Sequence, residues 1–222
     1  MVRNEQRAYW RNTKFRIEGK TNDKSVATGK RPMQKTGLLA AIDNLKGKLD
    51  RPAIVALDGR SRVGKSTLAN EIAANMQATV IRGDDFFAGG TEVRSDDAAS
   101  RAAACVDWTR QRDVLIKLLH GESAQFRAFD RDAFDGRLHT EPTIVSPAPI
   151  IVLEGVYAAR PELADLIDLR ALLVVSDAVR SARLNAWEGE IGPYEKQWHD
   201  AEVYYFQNVM PEAEFDIVIS EA

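Results

Sequence analysis

The sequence predicts an α/β fold in which a mostly parallel sheet lies between two layers of helices. Three observations predict it: short apolar runs recur along the chain, amphipathic helical patterns separate them, and a glycine-containing loop follows the first run. Strands that are apolar along their whole length are typical of parallel sheets, because helices cover both faces of such sheets. With 222 residues, of which 45% are hydrophobic, the chain can form one sizeable core.

Predicted helices and strands alternate along the chain. Thr36 and the leucines after it predict a capped amphipathic helix ahead of the first strand. Apolar or β-branched runs predict five strands, at 53–57, 79–81, 149–155, 171–175 and 216–219. Apolar residues at helical spacing predict further helices at 68–76 and 114–119. Residues 37–222 are therefore expected to form one domain.

The loop after the first predicted strand matches G-x-x-x-x-G-K-[ST], a phosphate-binding pattern. The loop consists of Gly59, Arg60, Ser61, Arg62, Val63, Gly64, Lys65, Ser66 and Thr67. Its glycines let backbone N–H groups turn toward phosphate oxygens, Lys65 adds a positive charge, and the Ser66 hydroxyl is placed to bind Mg²⁺. Strand, loop and helix in this order favour a nucleotide site over an ordinary glycine-rich turn. The sequence thus predicts a P-loop NTPase three-layer α/β/α fold that binds ATP or GTP.

Acidic residues follow two of the predicted strands. Glu154 ends an apolar strand, as in the Walker B arrangement that delivers an acid toward the metal, although an acid that merely caps a strand would look the same. Asp84 and Asp85 come just after the strand at 79–81. Because ligands bind at the carboxyl ends of parallel strands, these acids are expected near the P-loop. One of the two aspartates could accept the proton of a hydroxyl in phosphoryl transfer.

These motifs, in this order, resemble those of the uridine kinase and phosphoribulokinase group of P-loop kinases, over roughly residues 37–220. The matching segments are Asp84-Asp85-Phe86-Phe87, Asp107-Trp108, Phe129-Asp130-Arg131 and Glu154-Gly155. The resemblance implies an ATP-dependent kinase that transfers the γ-phosphoryl group to a hydroxyl of a nucleoside-like, sugar or other hydroxylated small molecule. It implies that Asp84 is the catalytic base, assisted by Lys65, and that Ser66, Asp84 and Glu154 contact Mg²⁺. The implied substrate contacts are Asp85, Phe87, Asp107, Phe129, Arg131 and Arg183.

The chain departs from this group at two places. Uridine kinases have a base-recognising histidine after their Y-D-F motif, whereas this chain has Phe134 near that place, so the resemblance does not extend to pyrimidine specificity. The lid of the group carries several arginines, of which only Arg183 remains here. Arg60 and Arg62 could replace that positive charge or could be surface residues. Trp187, Tyr194 and Trp198 could form an aromatic lid or could only pack their helices.

Two other functions compete with a kinase. A regulatory GTPase is disfavoured because the chain contains no N-K-x-D guanine-reading motif after a strand. A nucleotide-binding module without efficient phosphoryl transfer is favoured by the missing lid arginines.

Composition adds weaker expectations. Residues 1–36 contain ten Lys or Arg against three Asp or Glu and predict a basic N-terminal extension, while nothing predicts a nucleic-acid module. No apolar run is long enough to cross a membrane, which predicts a cytoplasmic protein. The single cysteine, Cys105, is assigned no chemistry. The expected partner is a small-molecule acceptor, and a homodimer is compatible with the sequence.

Overall fold

A central parallel sheet organises the computed structural model, which describes residues 33–188 and 191–220. The strands are β1 (Ala53–Asp58), β2 (Ala78–Arg82), β3 (Ala124–Phe126), β4 (Thr143–Val145), β5 (Ile150–Glu154), β6 (Leu169–Val174) and β7 (Ile217–Ser220). Five of those in the described ranges pair in parallel in the order β2–β5–β1–β6–β7. The central strand β1 is buried along its whole length, as its apolar sequence predicts.

Helices cover both faces of this sheet. They are α1 (Lys35–Lys46), α2 (Lys65–Met76), α3 (Ala98–Ala104), α4 (Trp108–Leu119), α5 (Asp177–Glu188) and α6 (Pro193–Tyr204). Helix α6 continues into a π-helical turn at Tyr205–Val209. Helix α1 begins at Lys35, and its N-cap residue Gln34 makes no side-chain capping hydrogen bond. The prediction that Thr36 caps this helix is therefore wrong, because Thr36 lies inside the first turn.

The apolar core is divided by the sheet into two clusters. Side chains alternate along β1, so that Ile54 and Ala56 pack in one cluster while Val55 and Leu57 pack in the other. Leu38 and Ile42 of α1 and Leu68 of α2 join the second cluster. The predicted α/β fold with a mostly parallel sheet between two helical layers is thus confirmed.

An antiparallel arm (residues 124–145) stands apart from the parallel sheet. Strands β3 and β4 pair with each other, and between them Phe129 forms an isolated bridge with Leu138. Its main-chain link to the sheet domain runs from the Phe129 N–H to the Asp85 carbonyl, at 2.8 Å. The short strands of this arm were not predicted from the sequence.

The N-terminal part of the domain is described from Met33 onward. The Met33 N–H donates to the Val218 carbonyl at 2.8 Å and so attaches this point to the edge of the sheet. The basic extension proposed for residues 1–36 lies mostly outside the described residues, and its boundary at residue 37 stays a prediction. Among the described helices, none combines the length and apolarity that crossing a membrane requires.

Two glycines let the ends of β2 and β5 approach each other. Gly155 follows β5 with a φ of 154°, and a Cβ placed on it would lie 3.2 Å from the Gly83 Cα. A Cβ on Gly83 would lie 3.0 Å from the Glu154 carbonyl oxygen. Since Gly83 precedes Asp84 and Gly155 follows Glu154, this backbone contact brings the two acidic segments side by side.

We expect Gly155→Ala to destabilise the fold by about 1–3 kcal/mol. Alanine is strained at this φ, and its methyl group would lie too close to the Gly83 backbone. Gly121→Ala is the matched control, since Gly121 has a φ of 75° but open space around its Cβ position. Urea unfolding of both variants would measure the difference. Equal losses of stability in the two variants would show that the contact between Gly83 and Gly155 is not tight.

Candidate active site

The loop at residues 59–67 leads into the start of α2 and contains three residues with positive φ, Gly59, Arg62 and Gly64. Gly59 has a φ of 149°, and a Cβ there would lie 2.4 Å from the Leu173 carbonyl oxygen. Arg62 adopts a positive φ of 69° although it is not glycine, which is uncommon and energetically costly. The N-terminus of α2 follows at Lys65, so that its free N–H groups and helix dipole face the same loop. Thr67 is exposed.

Lys65 is folded against its own loop. Its Nζ donates to the carbonyl oxygens of Gly59 at 2.8 Å and Arg60 at 2.9 Å, and the residue is only 8% exposed. Burial lowers the pKa of Lys65, while the nearby carboxylates of Glu202, Asp58 and Glu154 oppose that shift. A phosphate at the loop would give this ammonium group an anionic partner.

The side chains of Ser66 and Glu154 bring two possible oxygen ligands for a metal ion together at the start of α2. The Ser66 Oγ donates to the Glu154 Oε1 at 3.0 Å, and Glu154 is 5% exposed. Arg82, from the end of β2, lies 3.6 Å from the same carboxylate. A hydroxyl and a carboxylate are ligands that Mg²⁺ accepts, and Mg²⁺ usually takes its remaining ligands from water and substrate phosphates. The two side chains therefore fit a magnesium ion that a nucleotide would help to hold.

Other metal centres find no support in the described ranges, 33–188 and 191–220. Within them, no group of three or more His, Cys, Asp or Glu side chains could hold a metal ion. Burial raises the pKa of the Cys105 thiol to about 12, so this cysteine stays protonated. That agrees with the absence of any role for Cys105 in the sequence analysis.

Asp84 and Asp85 lie in the 3₁₀ turn Gly83–Phe86, directly after β2. The Asp84 side chain is 60% exposed and its Oδ2 forms an ion pair with the Arg131 Nη2 at 2.7 Å. Asp85 is half-buried; burial raises its pKa, and the charges of Arg82 and His139 oppose that rise. Of the two, Asp84 is the more accessible to a small molecule. Arg131, a predicted substrate contact, is here a partner of the predicted base.

Five aromatic side chains form a closed circuit beside this turn. The aromatic cluster consists of Phe87, Phe129, Phe134, Tyr194 and Trp198, with successive ring centroids 5.0, 5.9, 5.5, 6.1 and 5.6 Å apart around the circuit. It joins the turn after β2, the antiparallel arm and α6. Two members, Phe87 and Phe129, are predicted substrate contacts, and Tyr194 and Trp198 are candidates for an aromatic lid. The side chain of Trp187 lies outside the described residues.

Two further predicted substrate contacts are held by backbone groups. Asp107 caps α4, because its Oδ1 accepts from the Arg110 N–H at 3.1 Å, and its own N–H donates to the Phe86 carbonyl at 2.8 Å. Arg183 of α5 donates from its Nη1 to the Val63 carbonyl at 2.9 Å. Asp107 thus lies next to the Asp84 turn, whereas Arg183 contacts the P-loop. The substrate roles of both residues stay predictions.

Asp58 is a site residue that the sequence analysis missed. It ends β1, is fully buried, and accepts from the N–H groups of Gly59 at 2.7 Å, Tyr157 at 3.1 Å and Ala159 at 2.9 Å. The Tyr205 hydroxyl donates to it as well, at 3.0 Å. Burial raises the pKa of Asp58 to about 6, although these hydrogen bonds oppose the shift. The available signal was an aspartate that ends an otherwise apolar strand directly before the first P-loop glycine.

Comparisons with known proteins find relatives in sequence and in fold. A uridine kinase from Lactobacillus helveticus is 26% identical over 204 residues, which cover 79% of this chain and 94% of that protein. No protein-family model matches the chain. A structure described as a possible uridine kinase from Bacillus stearothermophilus has a TM-score of 0.58 at 19% identity, over 82% of this chain and 99% of that one.

The chain resembles uridine kinases in sequence and P-loop kinases in fold. A D-glycerate 3-kinase from Cryptococcus neoformans shares this fold, with a TM-score of 0.51 at 14% identity, over 82% of this chain and 87% of that one. The predicted P-loop fold and the predicted resemblance are therefore confirmed. These relatives support an ATP-dependent kinase and do not identify the acceptor.

We expect the stability difference between wild type and Asp58→Asn to shrink as the pH rises. The folded pKa of Asp58 is about 6, above the ordinary value of 3.8, so its contribution is complete below about pH 4 and is lost as the pH rises through 6. The difference in the free energy of unfolding should fall by about 3 kcal/mol over that range. The Asp58→Asn variant would be less stable throughout, because an amide nitrogen cannot accept from the surrounding N–H groups.

Urea unfolding at a series of pH values would measure this difference. Asp165→Asn is the control, because Arg112 lowers the pKa of Asp165 and its contribution is therefore lost only on acidification. The control should show no fall between about pH 4 and pH 6. A difference for Asp58 that grows with pH would contradict the direction of its pKa shift.

Proposed function

We propose that this protein is an ATP-dependent kinase that transfers the γ-phosphoryl group of ATP to a hydroxyl of a small molecule. The observation that carries the proposal is the contact between Gly83 and Gly155, which brings Asp84 beside Glu154 at the carboxyl edge of the sheet. Glu154 in turn accepts from Ser66 at the end of the P-loop. A phosphate site, a metal-compatible pair and an accessible carboxylate therefore adjoin one another, as phosphoryl transfer requires.

The residues that would bind the phosphoryl donor, ATP, come from the P-loop and from Glu154. Backbone N–H groups of the P-loop and the Lys65 ammonium group bind the phosphates, and Lys65 exchanges its carbonyl partners for phosphate oxygens. Ser66 and Glu154 would hold Mg²⁺, which would neutralise phosphate charge.

The acceptor side depends on Asp84. Its exposed carboxylate accepts the proton of the acceptor hydroxyl as the new oxygen–phosphorus bond forms and the bond between the γ-phosphorus and the β–γ bridging oxygen breaks, with ADP as the leaving group. Arg131 shares this carboxylate and holds it in place, so the acceptor hydroxyl must fit beside the ion pair. Because Asp85 is half-buried and its backbone carbonyl anchors Phe129, we assign it a supporting role in shaping the acceptor site.

The aromatic cluster supports an acceptor with a planar or apolar part. Its five rings lie next to the Asp84 turn, and aromatic rings bind planar groups by stacking and edge contacts. Of the relatives, the uridine kinase is named for an acceptor with a base ring, whereas D-glycerate has none. We therefore favour a ring-bearing, nucleoside-like or similar acceptor over a small hydroxy acid.

A nucleotide-binding module without efficient transfer is the second candidate. One observation favours it: Arg183, the remaining family arginine of the lid, donates to P-loop carbonyls. An arginine at the transferring phosphoryl group contributes about 10³–10⁵ in rate where it is present. The assay for Asp84 below distinguishes the two candidates.

We expect Asp84→Asn to lower kcat by about 10²–10⁴-fold, because an amide cannot accept the hydroxyl proton. The assay measures ADP release from Mg²⁺-ATP with a panel of nucleosides, sugars and hydroxylated acids. Asp132→Asn, an exposed carboxylate beside Arg131, is the control and should keep wild-type turnover. ATP binding without acceptor-stimulated ADP release would favour the binding module, and full turnover by Asp84→Asn would remove Asp84 as the base.

Trp198→Ala should raise the KM for the acceptor by about 10–100-fold, because a large ring surface is lost from the aromatic cluster. The KM for ATP should change little, since no contact of Trp198 involves the P-loop among the described hydrogen bonds and ring contacts. Trp198→Phe keeps a ring and should restore most of the affinity. Steady-state kinetics with the acceptor from the panel tests this, and an unchanged acceptor KM in Trp198→Ala would rule out the cluster as the acceptor site.

A further inference from the structure

The carbonyl oxygens of the P-loop accept hydrogen bonds from three cationic side chains, one from the loop itself and two from α5. Lys65 contacts those of Gly59 and Arg60, as described above. The Arg180 Nε donates to the Ser61 carbonyl at 3.0 Å. The Arg183 Nη1 donates to the carbonyls of Arg62 at 3.4 Å and Val63 at 2.9 Å. Every carbonyl from residue 59 to residue 63 therefore accepts from a cation, and two of the three cations come from α5.

Glu202 of α6 holds the same loop through hydrogen-bond donors of Ser61, where the cations hold it through carbonyl acceptors. This carboxylate is only 4% exposed and accepts from the Ser61 N–H at 3.2 Å and from the Ser61 hydroxyl. It also accepts from the Arg180 Nη2 at 3.3 Å, and the Arg60 Nε lies 3.7 Å away. Both backbone polar groups of Ser61 are therefore bound by one pair of charged residues, Arg180 and Glu202.

We propose that Arg180, Arg183 and Glu202 form a clasp that positions the P-loop for nucleotide binding. The C=O and N–H groups of a peptide unit point in opposite directions, so the carbonyls held by Arg180 and Arg183 turn the N–H groups of residues 62–64 to the other side of the loop. Arg62 needs such support because its positive φ is costly for a non-glycine residue. Donors fixed before the ligand arrives bind it without a cost of reorganisation.

The clasp goes beyond the proposed function because it gives side chains of α5 and α6 a role in positioning the P-loop. It rests on the proposed function only in taking the P-loop ligand to be a nucleotide. The three residues are positioning residues, because their described contacts join the loop to α5 and α6. A clasp that acts on the loop should affect ATP and ADP equally. By contrast, an arginine that touches the γ-phosphate should affect ATP alone, since ADP lacks that group.

The direction in which Glu202→Gln changes the affinity for nucleotide distinguishes a positioning role of Glu202 from a purely electrostatic one. As an anion near a phosphate site, Glu202 repels the ligand, so a purely electrostatic role predicts tighter binding when the charge is removed. Positioning predicts weaker binding, because the neutral amide introduced by Glu202→Gln cannot hold Ser61 and Arg180 together as the carboxylate does.

The test measures dissociation constants for Mg²⁺-ATP and ADP by calorimetry in the absence of acceptor. Glu202→Gln and Arg183→Gln should each weaken both nucleotides by about tenfold or more, the scale of a charged hydrogen bond. Asp200→Asn is the matched control, because Asp200 lies on the same helix and pairs with Lys196 at the surface. It should stay within about twofold of wild type for both ligands.

A second readout does not depend on nucleotide. Hydrogen exchange of the amides at 60–65 should be faster in the two clasp variants than in Asp200→Asn, because the loop opens more often. Should Glu202→Gln fail to fold, Arg183→Gln still provides both readouts, since Arg183 is exposed.

Each outcome has a distinct meaning. Tighter or unchanged binding in the variants, or a loss of ATP affinity without a loss of ADP affinity, would overturn the clasp and leave the kinase proposal standing. Wild-type protein that binds neither nucleotide would overturn the proposed function and the clasp together.

Discussion

The buried carboxylate of Asp58 fastens three separate segments to one point. It accepts hydrogen bonds from the first residue of the P-loop, from the loop after β5 at Tyr157 and Ala159, and from Tyr205 in the π-helical turn. A buried carboxylate needs such partners, because an unpaired one would carry a large desolvation cost. The start of the loop at 59–67, the segment that follows Glu154 and the π-helical turn after α6 are therefore linked to one another through this carboxylate.

Under the proposed function, the site divides around that point into a phosphoryl-donor side and an acceptor side with different physical character. The donor side is built from backbone groups and buried charges, with Lys65, Glu154 and Glu202 each less than a tenth exposed. The acceptor side is built from exposed charges and aromatic rings, including the ion pair between Asp84 and Arg131. Rigid polar geometry suits phosphates, which are alike in all nucleotides, whereas aromatic contacts suit an acceptor that varies.

Much of the fold and of the donor side could be predicted from the sequence, because local patterns determine them. Apolar strands, helical spacing and the glycine loop are readable over a few residues, and the rule that ligands bind at strand ends brings Asp84 and Glu154 together. Asp58 and Glu202 could not be recognised in this way. Their roles depend on partners about 100 to 147 residues away, such as Tyr157 and Tyr205 for Asp58, and Ser61, 141 residues away, for Glu202. The antiparallel arm was missed because its strands have only three residues each.

The antiparallel arm is joined to the sheet domain mostly through side chains, including Phe126, which stacks on Phe86 and lies with Ala124 and Ala128 in the first apolar cluster. Its main-chain attachment at Asp85 is a single hydrogen bond, and its other contacts include the Phe129 and Phe134 rings and the Arg131 ion pair. No strand of the parallel sheet pairs with it within the described ranges. The P-loop and Glu154 belong to the sheet domain, whereas Phe129, Arg131 and Phe134 belong to the arm. Under the proposed function, part of the acceptor site is therefore carried by a segment of the chain separate from the one that binds phosphate, and the two meet at the turn that holds Asp84 and Asp85.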